Sequence, residues 1–366
     1  MSIFEELGIT PFINGHDTYT VYGGSRISAE VIEAMGEGSK YFVDLEALQR
    51  KLGQAIAEKT NNEGAYITNG AAGALLLSAC VCMAEGKQYA YSRLPVTDGI
   101  RNEIIIMRAQ RNAYDTAMKA SGAAIIEIGD ADETLSYELE GSINDNTAAV
   151  FYFASKLYER GSLPLEETIR IAHEHGVPVV VDAAAQLPPA ANLWNYTQKG
   201  ADLVIFSGGK TLCGPQDSGL ILGKRTYIED CYRFGPPHHG LCRFLKTSKE
   251  SMLGLYAALI RYLEIDHEQN YRDMLKRNQL IETCLKDSEK VKKMEMVYQG
   301  PVGQEYPRLF IYLNEEAEAG SVKKSMSQKH IYIGTEPGPN ALYISPLNLT
   351  DEEAQVVARE LLEIIG

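Results

Sequence analysis

The chain has 366 residues, enough for two or three domains with a sizeable core, and its 45% hydrophobic and 23% charged composition is that of an ordinary globular protein. A net charge of −14 excludes broad contact with nucleic-acid phosphates, which needs clustered lysine and arginine; a small anion held by a few local cations stays open. No apolar run is long enough to span a membrane and the first residues carry no basic or apolar leader region. Six cysteines without C-x-x-C spacing point to reduced, mostly buried thiols in the cytoplasm.

Residues 1–60 open with T-P-F-I-N-G (10–15) and then V-Y-G-G-S-R-I-S (21–28). The glycine pair predicts a special backbone turn, and Ser28 an N-cap for a helix over 29–35. Arg26, just before that cap, reads equally as a solvated surface arginine or as a partner for an anion. Residues 65–86 read as strand, turn and helix, with Gly70, Ala71, Ala72 and Gly73 opening an apolar helix. A helix N-terminus with free amides and no bulky side chains suits a phosphate, although small residues also serve tight helix packing. Cys80 and Cys82, two apart on that helix, face different ways and read as core. Strands over 103–107, 123–128 and 148–153 then alternate with helices over 112–121 and 166–175, the second ended by Gly176 as a C′ glycine. His173 and His175 share no helix face for a metal, and His175 suits the helix C-terminus. The β–α repetition predicts a mainly parallel sheet covered on both faces.

Next comes the stretch around which the chain is organised, Gly176 to Gly223. Val177–Val181 is an apolar, β-branched run ending in Asp182; residues 202–206 form a second, ending in Ser207-Gly208-Gly209-Lys210. Continuous apolar runs read as buried parallel strands. In open α/β sheets ligands bind beyond the carboxyl ends of the strands, so Asp182 and Lys210 are expected in one crevice. Pyridoxal phosphate asks for that pair: its aldehyde binds a lysine amine, and its ring nitrogen needs a carboxylate to stay protonated. A phosphate-binding P-loop ending in Gly209-Lys210-Thr211 would need a glycine where Val204 stands. A structural ion pair is the plain alternative, against which stands the rarity of a buried lysine without a task.

Residues 231–250 are irregular, and Thr247-x-x-Glu250 predicts a capping box before a long helix whose Leu255, Leu259 and Leu263 form its buried side. Arg233, Arg243, Lys246 and Lys249 form a basic cluster that reads as a solvated loop or an anion site. The adjacent pair His238–His239 cannot easily chelate one metal, and no spacing in the chain supports zinc. From Arg308 the pattern changes: strands over 309–313, 331–333 and 342–344 precede a helix opened by the capping box Thr350-x-x-Glu353, a small α+β C-terminal domain.

With Asp182, the S-G-G-K of 207–210 and the G-P-Q that follows, the chain resembles the fold-type I pyridoxal-phosphate enzymes, more narrowly their selenocysteine-synthase-like group and, within it, the D-glucosaminate-6-phosphate ammonia-lyases. The resemblance covers nearly the whole chain: I-N-G, G-G-S-R, T-N-G-A-A-G, R-N-A-Y-D, V-D-A-A-A-Q, S-G-G-K-x-x-x-G-P-Q and the K-x-x-K-E before the long helix. It implies that Lys210 carries the cofactor and Asp182 faces the pyridine nitrogen. It also implies that Ser207 and the amides of Gly70, Ala71 and Ala72 cradle the cofactor phosphate, that Ala184 packs on the ring, and that Gln186 reaches a cofactor oxygen. Two positions depart: relatives often carry histidine where Gln110 precedes Arg111, and the late R-I-S of aminotransferases is here Leu342-Tyr343-Ile344-Ser345. The tRNA-binding extension of bacterial selenocysteine synthases has no counterpart before the first motif, so with this acidity charged tRNA is not the expected substrate.

The expected architecture is an N-terminal segment (1–60) packing on the small domain, a large cofactor domain (61–245) with a mainly parallel, seven-stranded-type sheet, and a linking helix with the small domain (246–366). The expected activity is a pyridoxal-phosphate-dependent lyase removing water and ammonia from a hydroxylated amino acid or amino sugar acid. Arg26, Arg111, Arg243 and Lys246 are the substrate-anion candidates, no metal is expected, and a homodimer or higher homo-oligomer is. An aldolase, racemase, aminotransferase or selenium-transferase-like reaction shares the early chemistry, and an inactive binding protein is the non-enzymatic alternative.

Overall fold

A computed structural model describes residues 2–336 and 338–366. The strands run, in chain order, β1 (Ile13–Gly15), β2 (Gly64–Asn69), β3 (Glu103–Met107), β4 (Ala124–Ile128), β5 (Thr147–Phe153), β6 (Val179–Asp182), β7 (Leu203–Ser207), β8 (Ser218–Gly223), β9 (Val291–Val297), β10 (Arg308–Leu313), β11 (Ile331–Glu336) and β12 (Ala341–Ile344). The chain forms two compact units, one of residues 27–264 and one of residues 2–26 with 265–366.

The larger unit is built on a seven-stranded sheet ordered β2-β8-β7-β6-β5-β3-β4. β7, β6, β5, β3 and β4 are mutually parallel, and β8 alone runs against its neighbours β2 and β7. This is the mainly parallel sheet that the β–α repetition predicts, in the fold-type I architecture that the resemblance implies. Its parallel strands need cover on both faces, and the helix Gly70–Ala84 supplies much of it: from Gly73 to Ala84 every residue is buried. A helix apolar all round is a core helix, so Cys80 and Cys82 sit among Leu75, Val81, Ile104 and Phe151. At the edge away from the site, Asp202 is 3% exposed yet fully engaged. It accepts bonds from Val179 N (2.7 Å) and pairs with His173 (2.8 Å) and Lys224 (2.6 Å). His173 is thus a pin between helix and sheet.

The division falls at 26/27 and 264/265, where the sequence pointed to 60/61 and 245/246. The reason is a glycine-mediated helix contact. A Cβ on Gly38, in the helix Ala29–Ser39, would lie 2.9 Å from Leu253 Cδ1, and one on Gly254, in the helix Lys249–Glu264, would lie 2.8 Å from Met35 Cγ. Only bare glycine lets these helices approach so closely, which ties residues 29–39 to the larger unit. The long helix is capped by Ser248, whose Oγ accepts from Ser251 N (3.0 Å), one residue after the expected Thr247. Its buried side is Leu255, Leu259 and Tyr262, with Leu263 only half-buried.

The smaller unit carries a five-stranded sheet, β1-β11-β12-β10-β9. β1 pairs parallel with β11, so the N-terminal residues supply an edge strand to a sheet otherwise made from the C-terminal third. The helix Asp351–Ile365 opens with the expected capping box of Thr350 and Glu353 and buries Ala354, Val357, Ala358, Leu361 and Ile365 against that sheet's core.

Candidate active site

Strand directions place the site. β8 is antiparallel to both β2 and β7, and β6 is parallel to β7, so β2, β6 and β7 all point one way. Their carboxyl ends share one edge of the sheet, and three motifs arrive there: Asp182 closing β6, Ser207 closing β7 three residues before Lys210, and Asn69 closing β2 just before the helix that starts at Gly70.

The turn carrying Lys210 is fixed by contacts that demand glycine. A Cβ on Gly208 would sit 2.0 Å from Ser218 Oγ, and one on Gly209 would sit 2.5 Å from Gln216 Oε1 and 2.7 Å from Gln216 Cα. The bond from Gly208 N to Ser218 O (2.9 Å) and that from Gly214 N to Gly208 O (2.8 Å) lock the loop on both sides. S-G-G-K therefore reads as a serine, two close-approach glycines and a lysine set at a strand end. Asp182 Oδ1 accepts from Ala184 N (2.9 Å). Burial raises the Asp182 carboxyl above its usual range; the Ala184 N–H and the positive charge of Lys210 pull the other way. The charge of Lys210 is thus felt at the Asp182 carboxyl.

The helix Gly70–Ala84 has no side-chain cap from Asn69 and no acidic residue in its first turn, and Gly70 adopts φ +65°. A Cβ built on Gly70 meets no atom within 4 Å, so open space adjoins the Cα that begins this helix. β8 closes this loop from behind: a Cβ on Gly219 would strike Gly70 C at 2.4 Å. Sequence reasoning missed two residues. One is Gly219, which β8 pairs with both Thr68 and Ser207. The other is Tyr158, beyond the end of β5, whose phenol is pushed up by burial and then by the charges of Asp182 and Asp115. Its signal was its place just past a strand's carboxyl end on the same sheet edge.

The other expected residues distribute as follows. Ala184 is half-buried beside Asp182, and Gln186, 9% exposed, fixes the next segment through its carbonyl, which accepts from Asn192 Nδ2 (2.7 Å). Arg111 follows β3 but is engaged, by Asp115 (2.5 Å) and Glu127 (2.6 Å). Gln110 is fully buried; its Oε1 accepts from Phe153 N (2.8 Å) and its Nε2 donates to Ser162 Oγ (2.9 Å), so it holds the end of β5. Arg243 lies in the 3-10 turn Leu241–Leu245, with Lys246 exposed beside it. Arg26 belongs to the smaller unit, where it bonds to Glu353 (2.8 Å). His238 lies 3.9 Å from Glu46. No group of three or more metal-ligating side chains assembles among the described residues.

A half-buried carboxylate, an amine at a neighbouring strand end and a helix N-terminus with uncapped amides form the donor set that pyridoxal phosphate needs: ring nitrogen, aldehyde and phosphate each have a counterpart of the right chemistry. Fold and site together define a fold-type I pyridoxal-phosphate enzyme. Comparison with known proteins agrees. Residues 19–306 match the L-seryl-tRNA selenium transferase family. The chain is 31% identical over 266 residues to the D-glucosaminate-6-phosphate ammonia lyase of Salmonella typhimurium (71% of this chain, 70% of that one). To the 5'-C-glycyluridine monooxygenase-decarboxylase of a Streptomyces it is 33% identical over 281 residues (75% and 68%). The solved structure of a D-glucosaminate-6-phosphate ammonia-lyase superimposes with a TM-score of 0.87 at 25% identity, covering 100% of this chain and 98% of that one. A serine palmitoyltransferase structure at 15% identity and TM-score 0.60 shares the fold. The protein belongs to the L-seryl-tRNA selenium transferase family, and its cofactor is pyridoxal 5'-phosphate.

Proposed function

We propose that the protein is an ammonia-lyase that removes water and then ammonia from a hydroxylated amino acid or amino sugar acid, with D-glucosaminate-6-phosphate as the working substrate, giving a 2-keto-3-deoxy acid. The observation that carries this reading is the end-to-end likeness to a D-glucosaminate-6-phosphate ammonia-lyase, TM-score 0.87 over 100% of the chain. When bound, the cofactor supplies the electron sink that lets an α-proton leave. Lys210 would hold the cofactor through its Nζ and, with that amine free, would take the substrate's α-proton there. Asp182 holds the ring-nitrogen proton; the Ala184 N–H and the Lys210 charge favour its ionised form against burial. Ser207 and the amides of Gly70, Ala71 and Ala72 would hold the cofactor phosphate, with Ala184 against the ring and Gln186 toward a cofactor oxygen. Loss of the β-hydroxyl as water leaves an enamine, whose imine form takes up one water to give keto acid and ammonia.

Arg243 and Lys246 form no ion pair among the described residues and are the better candidates for the substrate's anionic groups. Arg26 and Arg111 would each have to exchange a carboxylate partner first. We also assign a homodimer or higher homo-oligomer working in the cytoplasm. The assembly is supported by the run Tyr41, Phe42 and Val43, exposed by 59%, 103% and 47%; such apolar patches mark association surfaces. The 33% identity to a monooxygenase-decarboxylase favours one second reading, oxidative decarboxylation. Supplying D-glucosaminate-6-phosphate, its unphosphorylated analogue and a set of β-hydroxy amino acids, with keto acid, ammonia and oxygen measured together, separates the two. Keto acid and ammonia in equal amounts without oxygen uptake supports the lyase; oxygen uptake with carbon dioxide release replaces it.

A further inference from the structure

We infer that the smaller unit contains an oxyanion site, in which the guanidinium of Arg308 and the hydroxyl of Ser345 receive a carboxylate or phosphate group. Arg308 opens β10 and is only 7% exposed. A buried arginine is ordinarily fully bonded or ion-paired, because its five N–H groups are costly to leave unmet. Here, among the described residues, its one hydrogen bond is from Nε to Gln299 O (3.1 Å), and the guanidinium forms no ion pair. The two terminal nitrogens, which make the fork that matches an oxyanion bidentately, donate to no protein group among the described residues. Aromatic faces hold the group in place: Arg308 Cζ lies 5.1 Å from the Phe310 ring centroid and 5.4 Å from that of Tyr343.

A second buried group on the same sheet face is also unmet. Ser345 is 1% exposed, and its Oγ has no hydrogen-bond partner. β10 and β12 pair antiparallel with Leu309 opposite Ile344 and Phe310 opposite Tyr343. One step beyond the first of these pairs stand Arg308 and Ser345, on the face that Phe310 and Tyr343 share. The Tyr19 and Tyr343 hydroxyls, 3.5 Å apart, add phenol donors. The acid of this cluster, Asp17, is already committed: Tyr306 OH donates to its Oδ2 (2.9 Å) and Thr18 N to its Oδ1 (2.7 Å). A guanidinium fork with no protein acceptor among the described residues and a buried, unpartnered hydroxyl thus share one face of the sheet, and together they suit an oxyanion.

Carboxylate and phosphate share this chemistry, whether free in solution or carried by the substrate, and two measurements separate those sources. The first needs no turnover. Cofactor-loaded protein, in which the cofactor phosphate site is filled, is unfolded thermally while inorganic phosphate or acetate replaces chloride at constant ionic strength. The wild type gains stability as the oxyanion rises. In Arg308→Gln and Arg308→Met the response disappears or its midpoint moves up about tenfold or more; Arg308→Lys keeps part of it, as does Ser345→Ala, which also serves should the arginine variants fold poorly. An unchanged response in the folded Arg308 and Ser345 variants overturns the site, as does a wild type that shows no response. The second measurement is KM. A rise of about tenfold in Arg308→Gln assigns the oxyanion to the substrate, and an unchanged KM with a lost anion response assigns it to a free ion. Because the first measurement is independent of the reaction catalysed, it can succeed where the ammonia-lyase reading fails.

Discussion

Gly219→Ala perturbs the cofactor loop without touching a cofactor-binding side chain. The new methyl would stand 2.4 Å from Gly70 C, 2.5 Å from Gly70 O and 2.7 Å from Thr68 Oγ1. Normal van der Waals contact needs about an ångström more, so either β8 or the start of the helix Gly70–Ala84 must shift. Overpacking of this kind costs about 1–3 kcal/mol of stability. A shift of Gly70 also misaims the first-turn amides, and each charge-assisted hydrogen bond lost from the cofactor phosphate costs about 1.5–3 kcal/mol, or roughly tenfold to a hundredfold in affinity. The assay is titration of apo-protein with pyridoxal phosphate, followed by the visible absorbance of the bound cofactor. Gly223→Ala is the control: its Cβ would lie 2.1 Å from Asp202 O at the other end of β8, so it strains the same strand away from the loop. Gly219→Ala is expected to raise the cofactor Kd at least tenfold, and Gly223→Ala to lower the melting temperature with little change in Kd. Equal Kd changes in both, or wild-type affinity in a folded Gly219→Ala, would refute the placement of the phosphate.

Three further expectations follow from the geometry. In apo-protein, burial holds the Asp182 proton to higher pH in the folded than in the unfolded chain. This group therefore favours folding below its ordinary pKa of about 4, and that contribution is lost as pH rises through the raised folded value. Asp182→Asn, which cannot ionise, should gain stability relative to wild type as pH climbs above about 4, while the loaded variant loses roughly a hundredfold or more in rate; parallel melting-versus-pH curves would contradict this. Gln110→Leu leaves the buried Phe153 N–H without its acceptor and should cost about 2–3 kcal/mol in chemical unfolding; a loss under about 0.5 kcal/mol would show that the bond is dispensable. Thr350→Ala removes a capping box and should cost about 1 kcal/mol, read as earlier unfolding of the smaller unit.

Asp182 and Lys210 were legible because each ends an apolar run, and parallel strands share the edge where such runs end. The helix from Gly70 was legible for the same reason. β8 escaped notice because its reversed direction depends on pairing with β2 and β7, which no local pattern encodes. β1 has three residues, too few for any periodicity, and exists through its long-range pairing with β11. β9, K-K-M-E-M within its span, is an edge strand with exposed lysines and carries little apolar signal. The expected helix over 112–121 contracts to Asp115–Lys119, since Asn112 and Tyr114 form a turn in which Asn112 Oδ1 accepts from Tyr114 N (2.8 Å). The arginines show the limit most clearly: Glu353 is 327 positions from Arg26 and Glu127 is 16 from Arg111, so whether either cation was free could not be read from its neighbours. The same separation hid Arg308, whose unmet guanidinium becomes visible only once β10 and β12 are paired.

The central claim is that Lys210 carries the cofactor. Loaded protein reduced with borohydride, digested and mapped by mass spectrometry tests it in one measurement. The account predicts a pyridoxyl group on the peptide containing Lys210 and its loss in Lys210→Ala. A label on another lysine, or loaded protein that borohydride leaves unlabelled, would contradict it.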